Sequence, residues 1–386
     1  MVETVHPKLA DKSLCTGCGA CANGCGKGAI HMLPDREGFL YPTVTDACIV
    51  CGHCTHICPV LKQREPRAEP EAFAAWSLDD SIRKNSTAGG VFTVLAEYIL
   101  EQGGVVFGAA LDEKFHVYHT VVKNADDLTC LQGAKPVQSE IGSTYEQVRY
   151  YLDQQRLVLF SGTPCQVDGL YRYLGEHPEK LMTVDVLCHG VSSPGVWDHM
   201  VRSMAYIKQK EPLSVQFVRK NADSGERRFR VSFEGGGHYD APFEKSEFGR
   251  GFHRGLTLRP ACHNCGYTTT DRVGDLSLGM FTGLPKDFCP DEQKQGISLL
   301  LINTAKGAHV FDSLPLSRHH RTLQEAVAGN EALRAPTISG EERAAFFDAY
   351  AQQPFQQVRT RFFTPQPFQF VKKGGKNVLK LLKKRR

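Results

Sequence analysis

Eight cysteines near the start of the chain fall in two runs with the same spacing. The runs are Cys15-x2-Cys18-x2-Cys21-x3-Cys25 and Cys48-x2-Cys51-x2-Cys54-x3-Cys58, the second followed by Pro59. Bacterial ferredoxins hold two 4Fe–4S clusters with this spacing, because one tight loop supplies three thiolates and the fourth cysteine ligates the other cluster. The spacing therefore predicts two ligand sets: Cys15, Cys18, Cys21 and Cys58 for one cluster, and Cys48, Cys51, Cys54 and Cys25 for the other.

Zinc and a disulfide framework are the alternatives for these cysteines. Zinc sites normally use two paired ligand runs rather than two four-cysteine runs, so the pattern favours iron–sulfur clusters. Gly26 stands where a proline follows the second run, which loosens the first loop without removing a ligand. We therefore predict a protein that carries electrons.

Four of the six remaining cysteines are placed as a further metal site would require. Cys165 and Cys188 each follow a short apolar strand directly, and Cys262 and Cys265 form a C-x2-C pair. Ligand groups converge in the loops at the carboxyl ends of strands in α/β sheets, so these four could hold a third 4Fe–4S cluster. Spacing alone is equally consistent with structural zinc. The last two are interpreted as ordinary thiols: Cys130 and Cys289.

The composition is that of an ordinary globular protein. Of 386 residues, 41% are hydrophobic, and the formal net charge of +4 is too small to indicate a nucleic-acid-binding protein. The sequence has no apolar run of about 18 residues that could span a membrane, and its N-terminus lacks the pattern of a secretory signal. Because cluster thiolates need a reducing compartment, we expect a cytoplasmic protein.

Four segments follow one another along the chain. Residues 1–62 are predicted to form a two-cluster ferredoxin domain, and the charged, proline-punctuated stretch 63–71 a linker. Residues 72–345 alternate strand and helix signals, and residues 346–386 form a C-terminal segment. The predicted fold class is α+β or mixed α/β, with a dicluster ferredoxin module followed by a mixed-sheet domain.

The second predicted domain contains one long helix and several short strands. The helix is predicted at 91–102, ended by Gly103 and Gly104. Apolar runs predict strands at 72–77, 105–110, 157–160, 182–187 and 297–303. Residues 215–219 and 229–233 alternate as an antiparallel pair would, with a glycine turn beyond them.

Five motifs stand in order behind the ferredoxin module. They are Ser86–Phe92, Gly162–Gln166, Asp185–Pro194, Cys262–Cys265 and Arg272–Gly279. In this order they resemble the coenzyme F420 hydrogenase/dehydrogenase beta-subunit family over about residues 15–307. One departure lies at Gly279–Gly283, which reads GMFTG where many relatives have an acid and a tryptophan. A partner contact that depends on that acid and that tryptophan is therefore not expected in this chain.

The resemblance implies a flavin-dependent iron–sulfur oxidoreductase. It implies FAD, and electron transfer between the clusters and a hydride-exchanging substrate, of which coenzyme F420 is one candidate. Flavin suits this task because clusters move single electrons whereas a hydride carries two. The resemblance also makes four cysteines ligands of a cluster close to the flavin, favouring iron–sulfur over zinc there: Cys165, Cys188, Cys262 and Cys265. Catalytic acid–base residues stay unknown.

A turn before the predicted helix is the first candidate for binding FAD. It contains Ser86, Thr87, Gly89 and Gly90. Free N–H groups and the positive end of the helix dipole suit a pyrophosphate, although an ordinary N-cap at Ser86 or Thr87 explains the same pattern. The resemblance favours the flavin interpretation.

Two loops supply the other candidate flavin contacts. Lys135, Gln138 and Ser139 lie in the loop 131–139, and a cation and an amide beside N1 and C2=O would stabilise the reduced anionic flavin. A solvated loop lysine is the alternative. Gly162 and Thr163 are predicted to offer further donors beside the ring.

Three charged residues flank the last cysteine pair: Arg259, Arg272 and Asp275. A salt bridge that fixes this loop is predicted for them, with substrate binding as the alternative.

Two other functions stay open. The protein could be an electron-transfer subunit that serves a partner enzyme and has no substrate of its own, or its clusters could only brace the fold. We expect a redox partner protein, either ferredoxin or an oxidoreductase subunit, and a small-molecule substrate that the sequence does not identify. The tail 372–386 is rich in lysine and arginine and has no acidic residue. It is predicted to be solvated and disordered, with a basic amphipathic helix in weak contact with anionic lipid as the alternative.

Overall fold

The computed structural model describes residues 7–62, 64–221 and 225–364. Its N-terminal part has two one-turn helices and a hairpin: α1 (Ala20–Asn23), β1 (Ile30–Pro34), β2 (Leu40–Val44) and α2 (His53–His56). The strands that follow are β3 (Glu71–Ser77), β4 (Val105–Leu111), β5 (Val117–Val122), β6 (Val158–Gly162), β7 (Leu181–Val186), β8 (Pro212–Lys220), β9 (Arg227–Phe233), β10 (His238–Pro242), β11 (Leu276–Met280), β12 (Ser298–Ile302) and β13 (Leu316–Arg321).

The helices that follow are α3 (Asp80–Asn85), α4 (Val91–Glu101), α5 (Thr144–Asp153), α6 (Pro164–Leu174), α7 (Pro194–Lys208), α8 (Glu247–His253), α9 (Pro290–Gln295), α10 (Ala305–Ser313), α11 (Leu323–Gly329), α12 (Arg343–Gln352) and α13 (Phe355–Phe362). Short 3₁₀ turns occur at Ala125–Leu131, Phe243–Lys245, Pro260–Asn264 and Glu331–Leu333.

An eight-stranded mixed sheet forms the centre of the molecule, in the order β13-β3-β12-β11-β7-β6-β4-β5. Strands β4, β6, β7 and β11 are parallel neighbours, whereas β5, β12 and β13 pair antiparallel with the strands beside them. The parallel strands are mostly apolar because both faces of the sheet are covered, and the polar Thr183, Asp185 and Ser277 within them are fully buried. Their carboxyl ends share one edge of the sheet, and the segments that bear Cys165 and Cys188 leave from that edge.

Helices pack on both faces of this sheet. On one face, α4 buries Leu95 in a core with Val106 and Leu300. On the other face, α5 and α6 build a second core around Phe107 and Phe160. The large sheet is therefore a rigid platform, and its loop-bearing edge is open to ligands between the two helical layers.

A smaller antiparallel sheet, in the order β10-β9-β8, packs with α7 and α8 around an aromatic core. Trp197 is central to this core, with ring centroids 4.6 Å from Phe217 and 5.5 Å from Phe248. Helices α12 and α13 add Phe346 and Phe362 to it. Residues 346–364 thus belong to the packed structure.

The structure confirms the mixed α/β class, and each predicted strand and the predicted helix corresponds to an observed element with its ends shifted by a few residues. The stretch predicted as a linker is bonded to the main domain. Arg64 donates to the backbone oxygen of Asp271 over 2.5 Å, and Arg67 donates to that of Gly274 over 2.9 Å. Glu71 already belongs to β3, and Gln63 lies outside the described residues.

Among the residues that the structure describes, no helix is both long enough and apolar enough to cross a membrane. The basic tail 372–386 lies outside the described residues, so its disorder and its lipid contact stay predictions.

Candidate functional site

Four cysteines line one cavity at the loop-bearing edge of the sheet: Cys165, Cys188, Cys262 and Cys265. Cys165 lies in the first turn of α6, directly after β6, and Cys188 lies two residues after β7. Because β6 and β7 are neighbours, their carboxyl ends bring these two cysteines together. Cys262 lies in the 3₁₀ turn Pro260–Asn264, and Cys265 ends it.

The spacing of these side chains bears on the choice between zinc and a cluster. Four thiolates bound to one zinc ion at about 2.3 Å lie only about 3.8 Å from each other. Throughout the described ranges, no three histidine, cysteine, aspartate or glutamate side chains are close enough to hold a single metal ion. The four thiols are therefore not arranged around a single ion in this structure, and a third 4Fe–4S cluster there stays a prediction.

The pocket disfavours free thiolates. Burial raises the pKa of Cys165 to about 12 and that of Cys262 to about 11, because an anion loses its hydration there. Burial, and then the charges of Cys262 and Cys165, raise the pKa of Cys188 well above its usual range. A bound metal centre would supply the positive charge that four neighbouring thiolates lack.

The two ferredoxin runs are folded so that Cys58 lies beside the first run. Burial, and then the charges of Cys15 and Cys58, raise the pKa of Cys21 to about 12. Burial also raises the pKa of Cys54, with smaller contributions from Cys48 and Cys51 of its own run. The sulfur of Cys25 accepts a hydrogen bond from the Ala29 amide over 3.3 Å. All fourteen cysteines are described, and each is free of disulfide bonds.

The first cysteine run packs directly on the helix that carries Cys165. A Cβ atom added at Gly169 of α6 would lie 3.1 Å from the Cys18 sulfur, so glycine permits this approach without displacing the Cys18 side chain. The Tyr145 hydroxyl lies 2.8 Å from the backbone oxygens of both Cys18 and Gln166. Cys165 and Gly169 are one helical turn apart and share a face of α6. The third cysteine site and the first run are therefore neighbours.

Arg259 joins the same two regions through its side chain. The residue is fully buried, and its guanidinium donates to the backbone oxygens of Cys15 over 2.7 Å and Leu40 over 3.0 Å. It also donates to Gln138 Oε1 over 3.0 Å and lies 4.0 Å from the ring centre of Tyr41. Since Arg259 begins the turn that bears Cys262, it fixes that turn against the first run.

A buried salt bridge holds the loop that follows the last cysteine pair. Arg272 pairs with Asp185 over 2.5 Å, and both side chains are buried. Asp275 instead accepts from the Thr183 amide over 2.9 Å and lies 3.2 Å from the Lys306 ammonium. Arg272 and Asp275 thus each form a salt bridge, although not with each other, and Arg272 holds the loop that follows Cys265. The two acids belong to different motifs, and sequence alone does not show which of them Arg272 contacts.

The turn at 86–90 leaves part of its polar surface unpaired. Gly90 has φ +85°, and no side chain caps the N-terminus of α4. The Ser86 hydroxyl donates to the Ile82 oxygen, and the Gly89 amide donates to Ser298 Oγ over 3.0 Å, so the proton of each group is already used within the protein. Thr87 Oγ1 is buried without a partner. The first-turn amides of α4 and the Thr87 hydroxyl are the groups here that fit an anion.

The loop 131–139 lies next to that turn. Gln132 donates to Thr93 Oγ1, in the first turn of α4, over 3.3 Å. The Lys135 ammonium donates to the Gln132 and Gly133 oxygens over 2.8 and 3.2 Å, which leaves one proton for another acceptor. Burial lowers the pKa of Lys135 to about 8. This lysine is therefore not an ordinary solvated cation.

The remaining candidate flavin contacts lie beside the cysteine cavity. Gln138, Ser139 and Thr163 line it, and Gly162 ends β6 directly before Thr163. Ser139 Oγ accepts from the Gln166 amide group over 2.9 Å, and Thr163 Oγ1 lies 3.1 Å from the Cys165 sulfur. The structure thus brings the loop 131–139 between the turn 86–90 and the four cysteines.

Sequence reasoning missed Gln166 and Tyr145. Thr163 and Gln166 form a capping box at the start of α6, and the T-x-x-Q pattern was a usable signal for it. Tyr145 had no such signal, because its contact with Cys18 joins residues 127 positions apart.

Three family models match the chain. The model for the C-terminal part of the coenzyme F420 hydrogenase/dehydrogenase beta chain matches residues 155–323. The model for the N-terminal part of the same beta chain matches residues 72–145, and a 4Fe-4S dicluster domain matches residues 13–62. The dicluster ferredoxin module predicted at the N-terminus is thereby confirmed.

Among similar curated proteins, a coenzyme F420-dependent sulfite reductase of Methanocaldococcus jannaschii is 28% identical over 183 residues. That match covers 44% of this chain but only 27% of the reductase, so the chain spans about a quarter of its length. One of the subunits of the F(420)H(2) dehydrogenase of Methanosarcina mazei is 21% identical, and the match covers 79% of this chain and 84% of the dehydrogenase chain.

A solved structure also matches, from the F420-reducing NiFe hydrogenase complex of Methanosarcina barkeri. The match covers 77% of this chain and 92% of that chain, with 19% identity and a TM-score of 0.45.

Proposed function

The chain belongs to the coenzyme F420 hydrogenase/dehydrogenase beta-subunit family and is an iron–sulfur oxidoreductase, and we propose that it also binds FAD and a third 4Fe–4S cluster. In this proposal the protein exchanges electrons between its ferredoxin clusters and a hydride-exchanging substrate. Iron–sulfur clusters supply one-electron transfer, and FAD supplies the exchange between one-electron and two-electron chemistry.

The observation that carries this proposal is the packing of Cys18 against α6. Gly169 lets the Cys18 sulfur approach the helix that bears Cys165, and Tyr145 reaches the backbone of both segments. A cysteine site that only braced the fold would not need this proximity to a ferredoxin run. The arrangement supports a role for Cys165, Cys188, Cys262 and Cys265 in electron transfer.

The groups proposed to hold FAD differ in what they can do. The first-turn amides of α4 and Thr87 Oγ1 are suited to the pyrophosphate. Ser86, Gly89 and Gly90 shape that turn, and Gly89 leaves no room for a ligand because an added Cβ would lie 2.4 Å from the Ala75 oxygen. Lys135 has one free proton and is suited to the pyrimidine end of the flavin.

Coenzyme F420 is the first substrate to test, because two similar proteins carry it in their names. The departure at Gly279–Gly283 falls at the end of β11, on the same edge of the sheet as the cysteine cavity. A substrate other than this deazaflavin would be consistent with that change.

The second candidate function is an electron-transfer subunit that serves a partner enzyme. A similar dehydrogenase chain is named as a subunit, which favours a partner protein for this chain as well. In this case the flavin would exchange electrons only through the clusters and the partner.

The deciding experiment uses protein purified anaerobically with its cofactors. Its flavin absorbance is followed after mixing with reduced coenzyme F420, or separately with reduced ferredoxin. Bleaching by both donors supports the oxidoreductase with its own hydride donor, and bleaching by ferredoxin alone favours the electron-transfer subunit. A protein that releases no FAD on denaturation contradicts the flavin proposal.

A further inference from the structure

His119 is a buried histidine beside the end of the loop 131–139. It lies on β5, is only 6% exposed, and stacks on Phe160 with ring centroids 5.4 Å apart. Its backbone amide donates to the Glu140 oxygen over 2.8 Å, and its Nε2 lies 3.1 Å from the Ser161 oxygen. His119 is therefore held between the end of the loop 131–139 and the end of β6, the two segments that carry Ser139 and Gly162.

The contact with Ser161 fixes the tautomer of the ring. A carbonyl oxygen can only accept, so Nε2 must carry the proton. Nδ1 of the neutral ring is then an acceptor, and it is buried without a hydrogen-bond partner. Burial, and then the nearby Lys135 cation, lower the pKa of His119 to about 4, so the ring stays neutral near pH 7.

An unpaired acceptor of this kind requires a donor. Buried polar groups are nearly always hydrogen-bonded, and leaving one unpaired costs about 1–3 kcal/mol. The nearby cation that lowers the pKa of the ring is Lys135, whose ammonium donates to the Gln132 and Gly133 oxygens and makes no hydrogen bond to Nδ1. A bound molecule that presents an N–H group beside a carbonyl oxygen would satisfy both side chains. Its N–H group would donate to His119 Nδ1, and its oxygen would accept the remaining proton of Lys135.

We propose that His119 Nδ1 accepts a hydrogen bond from the N3–H group of the flavin, while Lys135 donates to the adjacent C2=O. The pyrimidine edge of a flavin presents an acceptor, a donor and an acceptor in sequence, which complements one cation beside one neutral acceptor. This inference rests on the proposed function, because it assigns a recognition residue to the proposed FAD site. His119 is thus a specificity residue for the flavin ring, fixed by Ser161 and Phe160.

The test compares FAD with N3-methyl-FAD, which lacks the donor, in full-length protein whose flavin has been removed while the clusters are kept. Wild-type protein is expected to bind FAD about tenfold more tightly than the methylated analogue, the usual effect of one buried hydrogen bond. His119→Ala should bind FAD more weakly and bring the ratio of the two affinities close to one. His119→Asn places an amide oxygen near Nδ1 and should restore a preference for FAD.

The matched control is His116→Ala, because His116 is exposed and pairs with Asp112 at the same end of β5. It should keep the wild-type ratio. An equal ratio of the two affinities in wild-type protein and in His119→Ala overturns the inference, and a buried water is then the donor to Nδ1. The proposed function is unaffected by that result as long as the protein binds FAD. Wild-type protein that binds neither flavin overturns the proposed function and this inference together.

Discussion

Arg259 donates from Nε to the backbone oxygen of Cys15 over 2.7 Å, although 244 residues separate the two along the chain. The contact joins the first ferredoxin run to the turn that bears Cys262, and no carboxylate neutralises the guanidinium among the partners it contacts. The ferredoxin module is consequently part of the packed structure of the main domain.

Arg259→Met should therefore destabilise the protein and loosen both cysteine sites. The change leaves the buried oxygens of Cys15 and Leu40 unpaired, which costs about 3 kcal/mol in free energy of unfolding. Urea denaturation of the anaerobic holoprotein measures the loss, and iron analysis should show fewer than the wild-type number of irons. Arg36→Met, at an exposed position, is the control. An unchanged unfolding midpoint would show that the contact contributes nothing.

The iron content is the second prediction. Twelve of the fourteen cysteines are assigned to three four-iron sites, so about twelve irons and twelve acid-labile sulfides are expected per chain. Cys262→Ser should lower the iron count by about four, whereas Cys130→Ser, at an exposed thiol outside the sites, should leave it unchanged. About eight irons and one zinc in the wild-type protein would refute the third cluster and leave the ferredoxin clusters standing.

The position of the flavin pyrophosphate gives a third prediction. Gly90→Val places a branched side chain at φ +85°, where even a Cβ lies 2.8 Å from Ile82 Cγ2, and should deplete FAD by disturbing the N-terminus of α4. Gly103→Val is the control, because Gly103 has φ +73° beyond the other end of α4 and open space for a side chain. FAD released by denaturation is quantified. Full occupancy in the Gly90 variant would place the pyrophosphate elsewhere.

Lys135 should control the pH dependence of the flavin potential. Burial lowers its pKa from about 10.5 to about 8, so the cation is present below pH 8 and is lost as pH rises through that value. Because the cation favours the reduced anionic flavin, Lys135→Met should make the potential about 30–60 mV more negative at pH 7. The variant should also lack the added pH dependence near pH 8, whereas Lys123→Met should behave as wild type. A potentiometric titration with the same curve in all three proteins would exclude Lys135 from the flavin site.

Local patterns were enough to predict the parts of the site that lie on single elements. Strand-ending cysteines such as Cys165 and Cys188 converge because the carboxyl ends of parallel strands share an edge, a rule that needs no coordinates. The contacts of Arg259, Tyr145 and His119 depend instead on how distant segments pack. No periodicity or spacing encodes the approach of Cys18 to Gly169, since it results from the docking of one domain on another.

The same reasoning explains two sets of contacts that the sequence did not specify. The stretch 63–71 has the charge and prolines of a linker, but Arg64 and Arg67 bind backbone oxygens of a loop some 200 positions away. The choice of Asp185 over Asp275 as the partner of Arg272 likewise depends on strand register, because β7 and β11 are adjacent.

The last prediction concerns the entry of electrons. The loop of the second ferredoxin run lies at the surface, with Cys51 exposed and Ile49 and Val50 exposed to 62% and 44%. The first run is instead packed against α6, through Cys18 and Gly169. This packing supports an order of electron transfer in which the cluster of the second run meets the carrier protein. The cluster of the first run then lies between it and the main domain.

Cys51→Ser should therefore slow the reduction of the flavin by reduced ferredoxin at least about tenfold, since it disrupts the ligand set of the exposed cluster. Reduction by a two-electron donor that meets the flavin directly should change less than about twofold, because the variant leaves the main domain intact. Stopped-flow absorbance of the flavin measures both rates, with Cys130→Ser as the control for loss of an exposed thiol.

A single-residue variant is preferable to deletion of residues 1–62, which would uncover the buried Arg259 and Tyr145. Equal ferredoxin-dependent rates in Cys51→Ser and wild-type protein would show that the outer cluster is off the electron path, and a bracing role for that cluster would then account for its presence.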